Sequence, residues 1–186
     1  AAGFPASIAE IRRDPATFQR WARFKSRTRI DFTRQLTADV RAIRGPKVKT
    51  ARNIFALPIL EPQSEAWFAQ NLDDFLQAYD WVAPMAMPLM EKVPMPESNA
   101  WLDKLVTEVG RRPGALKKTV FELQSRDWRQ AEQHGAIPAA QLASWMKQLQ
   151  TSGAQSFGYY PDDFLNDSPA LNDIRPVFSS TWYPLP

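Results

Sequence analysis

The residues of this 186-residue sequence that could do chemistry are carboxylates, hydroxyls, side-chain amides and aromatic rings. Cysteine is absent, which removes a thiolate nucleophile, a disulfide framework and a cysteine zinc site. His134 is the only imidazole, so a multi-histidine metal site is impossible and a Ser-His-Asp triad would rest on one residue; beside Gly135, that histidine is expected in a solvent-exposed loop. The remaining candidates cluster after apolar runs. Glu61 follows the first run, and Met85 to Met90 end the second. Glu122, Gln124, Asp127 and Trp128 follow or end the third, and Tyr159, Tyr160, Asp162 and Asp163 the fourth. Basic residues are scarce at these places. Acids beside aromatics suit a carbohydrate groove, because a sugar ring stacks its C–H face on Trp or Tyr and bonds its hydroxyls to carboxylates and amides. An acidic lining further suits sugars with free amines, through charge-assisted hydrogen bonds. Paired carboxylates are also the equipment of glycoside hydrolysis.

Each candidate has a plainer reading. Trp101 and Trp145 lie on helical apolar stripes and read as core. Trp67, in the first turn of a helix beside a strand-end loop, fits core and groove equally. Trp128 has charged neighbours in a polar loop, which points to a ligand. Glu122 sits inside an apolar strand, where an idle carboxylate would be unfavourable. Asp162 and Asp163 suit either a ligand or a turn cap, and the Met85, Met87 and Met90 cluster reads as packing.

The elements that must position these residues alternate. A basic helix from Pro15 to Arg44 carries Trp21, Phe24, Ile30, Phe32, Leu36, Val40 and Ile43 as an apolar stripe inside a solvated face, and Gly45-Pro46 stops it. Strands are expected over Thr50–Leu60, Asp80–Met87, Lys118–Leu123 and Gln155–Tyr160. Helices are expected from Ser64 (as N-cap) to Tyr79, from Ser98 to Val109 and from Ala139 to Gln150. The segment beyond Pro161 reads as loop. Strand–helix repetition implies βα units in a parallel sheet whose strands are buried on both faces. No Gly-rich nucleotide-binding turn is present. A (β/α)8 barrel needs about 250 residues and eight strands, and four strands are legible here. The expected fold class is therefore α/β: the C-terminal half of a (β/α)8 TIM-type barrel, starting within the helix after the fourth strand. Such a half exposes two strand edges and needs its other half for stability.

Charge is uneven. Residues 1–52 hold thirteen Lys/Arg against four Asp/Glu, whereas residues 53–186 hold ten against sixteen. The basic excess is confined to one helix without a groove-reading motif, so nucleic acid is not expected as a partner. No apolar run reaches the roughly 18 residues of a membrane-spanning helix. The start, Ala1-Ala2-Gly3, has neither initiator Met nor signal segment, which suggests a processed chain or a fragment.

Four segments carry a resemblance: NIFALPILEP (53–62), EAWFAQNLDDF (65–75), YDWVAPMAMP (79–88) and SFGYYP (156–161). They resemble the C-terminal domain of the PgaB/HmsF family, biofilm proteins that process poly-β-1,6-N-acetyl-D-glucosamine, and the likeness runs over nearly the whole chain. The resemblance implies a periplasmic, outer-membrane-associated parent lipoprotein. Its N-terminal deacetylase domain would hold a divalent metal. Its C-terminal glycoside-hydrolase-type barrel would bind the partly deacetylated polymer, cleave it in some or all members, and pass it to an outer-membrane export porin. Trp67 and Trp128 match tryptophans that the family places along the sugar groove, while the family's Asp-rich catalytic motif lies upstream of Ala1. The expected carbohydrate-binding residues are Glu61, Trp67, Glu122, Asp127, Trp128, Tyr160 and Asp162, with no catalytic acid, metal or cofactor in this chain, which alone should be inactive. A non-catalytic binding and translocation module is the alternative.

Overall fold

A computed structural model describes Ser7 and residues 13–129 and 135–178, so His134 lies outside the described residues. Helix α1 (Pro15–Arg44) begins where the Asp14 carboxylate accepts from the Ala16 and Thr17 amides, and ends at Gly45, whose φ of 93° a residue with a β-carbon rarely adopts. The strands are β1 (Ala51–Phe55), β2 (Trp81–Ala86), β3 (Phe121–Gln124) and β4 (Phe157–Tyr160). All pairs are parallel, in the order β1-β2-β3-β4. Helices α2 (Leu57–Leu60), α3 (Glu65–Phe68) and α4 (Leu72–Ala78) link β1 to β2; α5 (Ser98–Gly110) links β2 to β3, and α6 (Ala139–Thr151) links β3 to β4. This is the α/β alternation expected from the apolar runs.

The sheet has one covered face and one open face. Ile54, Val82, Ala86, Phe121 and Leu123 are fully buried with Leu102, Leu105, Val106, Leu142, Trp145 and Leu149 of the helices. Trp145 also donates its indole N–H to Ser98 Oγ at 2.7 Å, fixing α6 against α5; Trp101 is partly buried against the same core. Residues of opposite parity (Asn53, Trp81, Tyr160) are exposed and Glu122 is half-buried. Burial on both faces, as expected of parallel strands, is therefore not met among the described residues. The open face is the one a closed barrel would turn inward.

Three boundaries depart from expectation. The first strand stops at Phe55, and Leu57–Leu60 turns into helix with Pro58 in its first turn. The helix expected from Ser64 to Tyr79 is broken: Ala69 takes a left-handed φ of 51°, Ser64 makes no capping bond, and Asn71 caps α4 by accepting from the Asp74 amide at 3.1 Å. The break is held from outside, since Lys25 and Arg29 of α1 donate to the Ala66 and Phe68 carbonyls at the end of α3. Beyond Pro161 the expected loop contains helix α7 (Leu171–Phe178), whose Ile174 is fully buried and whose Phe178 ring meets Phe157 and Tyr159 edge-on. On α1, the apolar stripe does not lie inward as a unit. Ala22, Ser26 and Ile30 are the buried residues, whereas Phe32 is 64% and Ile43 82% exposed.

At the N-terminal ends of β1 and β2, Asp80 gathers the layers. Its carboxylate accepts from Arg41 at 3.2 Å, Lys49 at 3.1 Å, and the Thr50 amide and hydroxyl at 2.9 and 3.0 Å. The Thr50 amide and the Lys49 ammonium hold its carboxyl down at about 2. No helix of the described residues is long and apolar enough to cross a membrane.

Candidate functional site

The candidate residues gather at the C-terminal ends of the four strands, where buried polar side chains fix the backbone. At β1, Gln70 (6% exposed) accepts the Phe55 amide on its Oε1 at 2.8 Å, closing the strand end after the helix break. Beyond it, Glu61 is exposed, and Trp67 is 61% exposed with its ring edge-on to Phe18 of α1 at 5.7 Å. Trp67 thus belongs to the rim near the start of α1, and its ring neighbour is neither Trp128 nor Tyr160.

At β2 and β3 the key residue is Gln124, fully buried. Its Oε1 accepts from the amides of Leu89 (2.9 Å) and Met90 (3.2 Å), and its Nε2 donates to the Arg126 carbonyl (2.8 Å). One side chain thereby ties the loop after β2 to the loop after β3. The tied loop presents Glu91, whose carboxyl is raised above the usual range, mainly by burial and secondly by the negative charge of Glu61.

Glu122 points from β3 onto the open face. Burial raises its carboxyl, and Asn53 Nδ2 donates to its Oε2 at 2.8 Å. Asn53 is in register with Ala83, and Glu122 with Met85, so the bond reaches across β2 beside the small Ala83 side chain. Asp127 is nearly buried, and both its oxygens accept from Arg129, at 2.8 Å from Nε and 2.9 Å from Nη2. It therefore braces the loop that carries Trp128.

Trp128 (40% exposed) and Tyr160 (57% exposed) come together from the ends of β3 and β4, with ring centroids 6.3 Å apart and planes inclined by 27°. The neighbouring backbones are fixed: the Ser125 amide donates to the Tyr160 carbonyl at 2.9 Å, and the Ser125 hydroxyl to the Pro161 carbonyl. Exposed Asp162 accepts from the Tyr159 hydroxyl at 3.1 Å. Two adjacent, partly exposed rings offer an apolar face that a flat, C–H-bearing ligand surface could cover.

Of the residues singled out in the sequence, Trp128 and Tyr160 meet, Glu122 joins the same open face, and Asp162 and Asp127 brace adjoining loops. Sequence reasoning missed Asn53, Gln70 and Glu91, and it placed Gln124 at its strand end without its role as a latch. Strand parity could have found Asn53, which shares a face with Glu122; nothing local marks Gln70 or Glu91. Among the described residues no group of three or more His, Cys, Asp or Glu is placed to hold a metal ion.

A model of hypothetical glycosyl hydrolase family 13 matches residues 1–160. The chain is 53% identical over 183 residues to poly-β-1,6-N-acetyl-D-glucosamine N-deacetylase of Escherichia coli strain K12, and equally to that of strain O157:H7; the match takes in 98% of this chain and 27% of each relative. Among solved structures, the PgaB (BpsB) glycoside hydrolase domain from Bordetella bronchiseptica is 43% identical with a TM-score of 0.85, over 94% of this chain and 48% of that one. The chain thus spans about a quarter of the curated relatives and about half of the solved domain.

Proposed function

The chain belongs to hypothetical glycosyl hydrolase family 13, and from that premise we propose that its strand-end face binds partly deacetylated poly-β-1,6-N-acetyl-D-glucosamine. The Trp128–Tyr160 pair carries this reading, because two partly exposed rings 6.3 Å apart offer sugar C–H faces a ready platform. In this reading Trp128 and Tyr160 stack on consecutive sugars, with Trp67 at the rim. Glu122, Glu61 and Asp162 take hydroxyls or ammonium groups, and Asp127 holds the Trp128 loop in place.

The same reading makes residues 1–186 the C-terminal part of a glycoside-hydrolase-type (β/α) barrel. Its first strands would pair with the free edges of β1 and β4 and face Asn53, Trp81 and Tyr160. The parent protein would be a deacetylase whose metal-dependent domain lies elsewhere in its sequence. It would work in the periplasm at the outer membrane, handing polymer to an export porin. The likeness to the curated N-deacetylases and to the solved glycoside hydrolase domain supports the deacetylase and barrel parts of this reading.

Hydrolysis needs an acid and a second carboxylate across the scissile bond, and this chain brings Glu122 as a carboxyl raised by burial. A non-catalytic binding and translocation module is the second reading, favoured by Asp127 being sealed by Arg129. Incubating the full-length protein with defined partly deacetylated oligomers and weighing the products separates the two. Shorter oligomers support hydrolysis, intact ones the binding module, and failure to retain any oligomer refutes both.

A further inference from the structure

Glu122 is held on the open face by a residue two strands away. Asn53 Nδ2 of β1 donates to its Oε2 at 2.8 Å, and strand register builds this contact. Asn53 is paired with Ala83, and Glu122 with Met85 on one side and Gly158 on the other. Ala83 is small enough to let the bond cross β2. On the β4 side Gly158 brings no side chain at all. Its backbone does not require a glycine, since its φ lies outside the left-handed region and a β-carbon would meet nothing within 4 Å. Among the titratable side chains of β1, β2 and β4, only Tyr160 shares this face; Arg52 and Tyr159 have the opposite parity. Asn53 is thus the hydrogen-bond partner of Glu122 among the described residues.

The direction of that bond has a chemical consequence. An amide N–H donates and never accepts. Oε2 therefore acts as acceptor whether Glu122 is ionised or neutral, and the proton of the neutral acid is left to Oε1, which Asn53 does not engage. Burial favours the neutral acid. In glycoside hydrolysis such an acid gives its proton to the glycosidic oxygen as the C1–O bond breaks and the bonding pair goes to that oxygen. C1 is taken on its other face by a water or a carboxylate, here supplied by the rest of the domain. Glu122 is left as a carboxylate, and its bond from Asn53 becomes charge-assisted and stronger. The contact thus gains strength as the reaction proceeds, which is what lowers a barrier.

We propose that Asn53 is a positioning residue for hydrolysis: it holds Oε2 of Glu122 across β2, so that Oε1 is the oxygen that delivers the proton to the leaving sugar. This role rests on the reading that the complete domain cleaves the polymer with Glu122 as its acid.

The test is the pH dependence of kcat and kcat/KM for cleavage of a partly deacetylated β-1,6-glucosamine oligomer by the full-length protein, with thermal unfolding of each sample. Asn53→Ala should lower kcat by about tenfold to a hundredfold, with KM within about twofold of the unaltered protein. An acid must be protonated to act, so activity falls as pH rises through its pKa. Removing a donor that favours the carboxylate raises that pKa, and the basic limb of the kcat/KM profile should move to higher pH. Asn53→Asp, of the same shape, puts a negative charge in place of the donor and should move the limb the same way; it carries the test if the alanine variant is unfolded. In a Glu122→Gln background, Asn53→Ala should cost no more than about twofold further. A kcat within twofold of the unaltered protein, a loss of kcat with the limb unmoved, or an equal loss in both backgrounds would each overturn the positioning role. If Glu122→Gln cleaves as the unaltered protein does, that role falls while hydrolysis stands. If the unaltered protein leaves every oligomer intact, hydrolysis falls and the role of Asn53 with it.

Discussion

Replacing Trp128 by alanine should weaken polymer binding about tenfold without unfolding the protein. Trp128 is 40% exposed, and a tryptophan presents at most about 250 Å2, so about 100 Å2 of ring is open to a ligand. A sugar face covering roughly half of that removes about 50 Å2 of apolar surface from water, worth about 1.3 kcal/mol at 25 cal/mol per Å2, or close to a factor of ten in Kd. The stability change should be small, because the ring lies in an exposed loop and its stack on Tyr160 at 6.3 Å is worth about 0.5–1.5 kcal/mol. The assay is titration of the full-length protein with a glucosamine hexamer, alongside thermal unfolding of the same samples. Trp128→Phe should fall between the two proteins. Affinity of Trp128→Ala within twofold of the unaltered protein, with folding intact, would refute the stacking argument.

Other outcomes test the frame around this pair. Gln124→Leu leaves the Leu89 and Met90 amides and the Arg126 carbonyl without their partner, so it should destabilise by at least about 2 kcal/mol in urea unfolding; a change under about 0.5 kcal/mol would contradict the latch. The Asp80 carboxyl is depressed from 3.8 to about 2, so its stabilising contribution is present above pH 4 and lost as pH falls through about 2. Asp80→Asn should flatten the stability-versus-pH curve in that window, and an unchanged slope would rule the clamp out. If preceding βα units cover α1, Phe32→Glu and Ile43→Glu should each lower the melting temperature of the full-length protein by several degrees, whereas a truly solvated stripe would leave it unmoved.

The alternation of strand and helix was legible because each β-strand announced itself as an apolar run closed by polar or turn residues. Helix breaks were not, because their causes lie far off in sequence: the α3 carbonyls are taken by Lys25 and Arg29 of α1, and Phe55 is closed by Gln70. Helix α7 was hidden by Pro169 and Pro176, which read as loop although Ile174 is wholly buried. The stripe on α1 was seen, but Phe32 and Ile43 turn away from the side that packs. At the site, Trp128 and Tyr160 could be paired in advance because they follow neighbouring strands of a parallel sheet. The bracing of Asp127 by Arg129 is a local pair two residues apart and was open to reading. The Gln124 latch was not, since a glutamine says nothing of which amides, 34 or 35 residues away, it will accept.

In the proposed function, a β-1,6-linked glucosamine polymer lies across the ends of β3 and β4. A crystal structure of the full-length protein with a partly deacetylated hexamer tests it most directly. Sugar rings should stack on Trp128 and Tyr160, with an ammonium or hydroxyl group within hydrogen-bond reach of Glu122. Sugar bound elsewhere, with both rings bare at saturating oligomer, would contradict it.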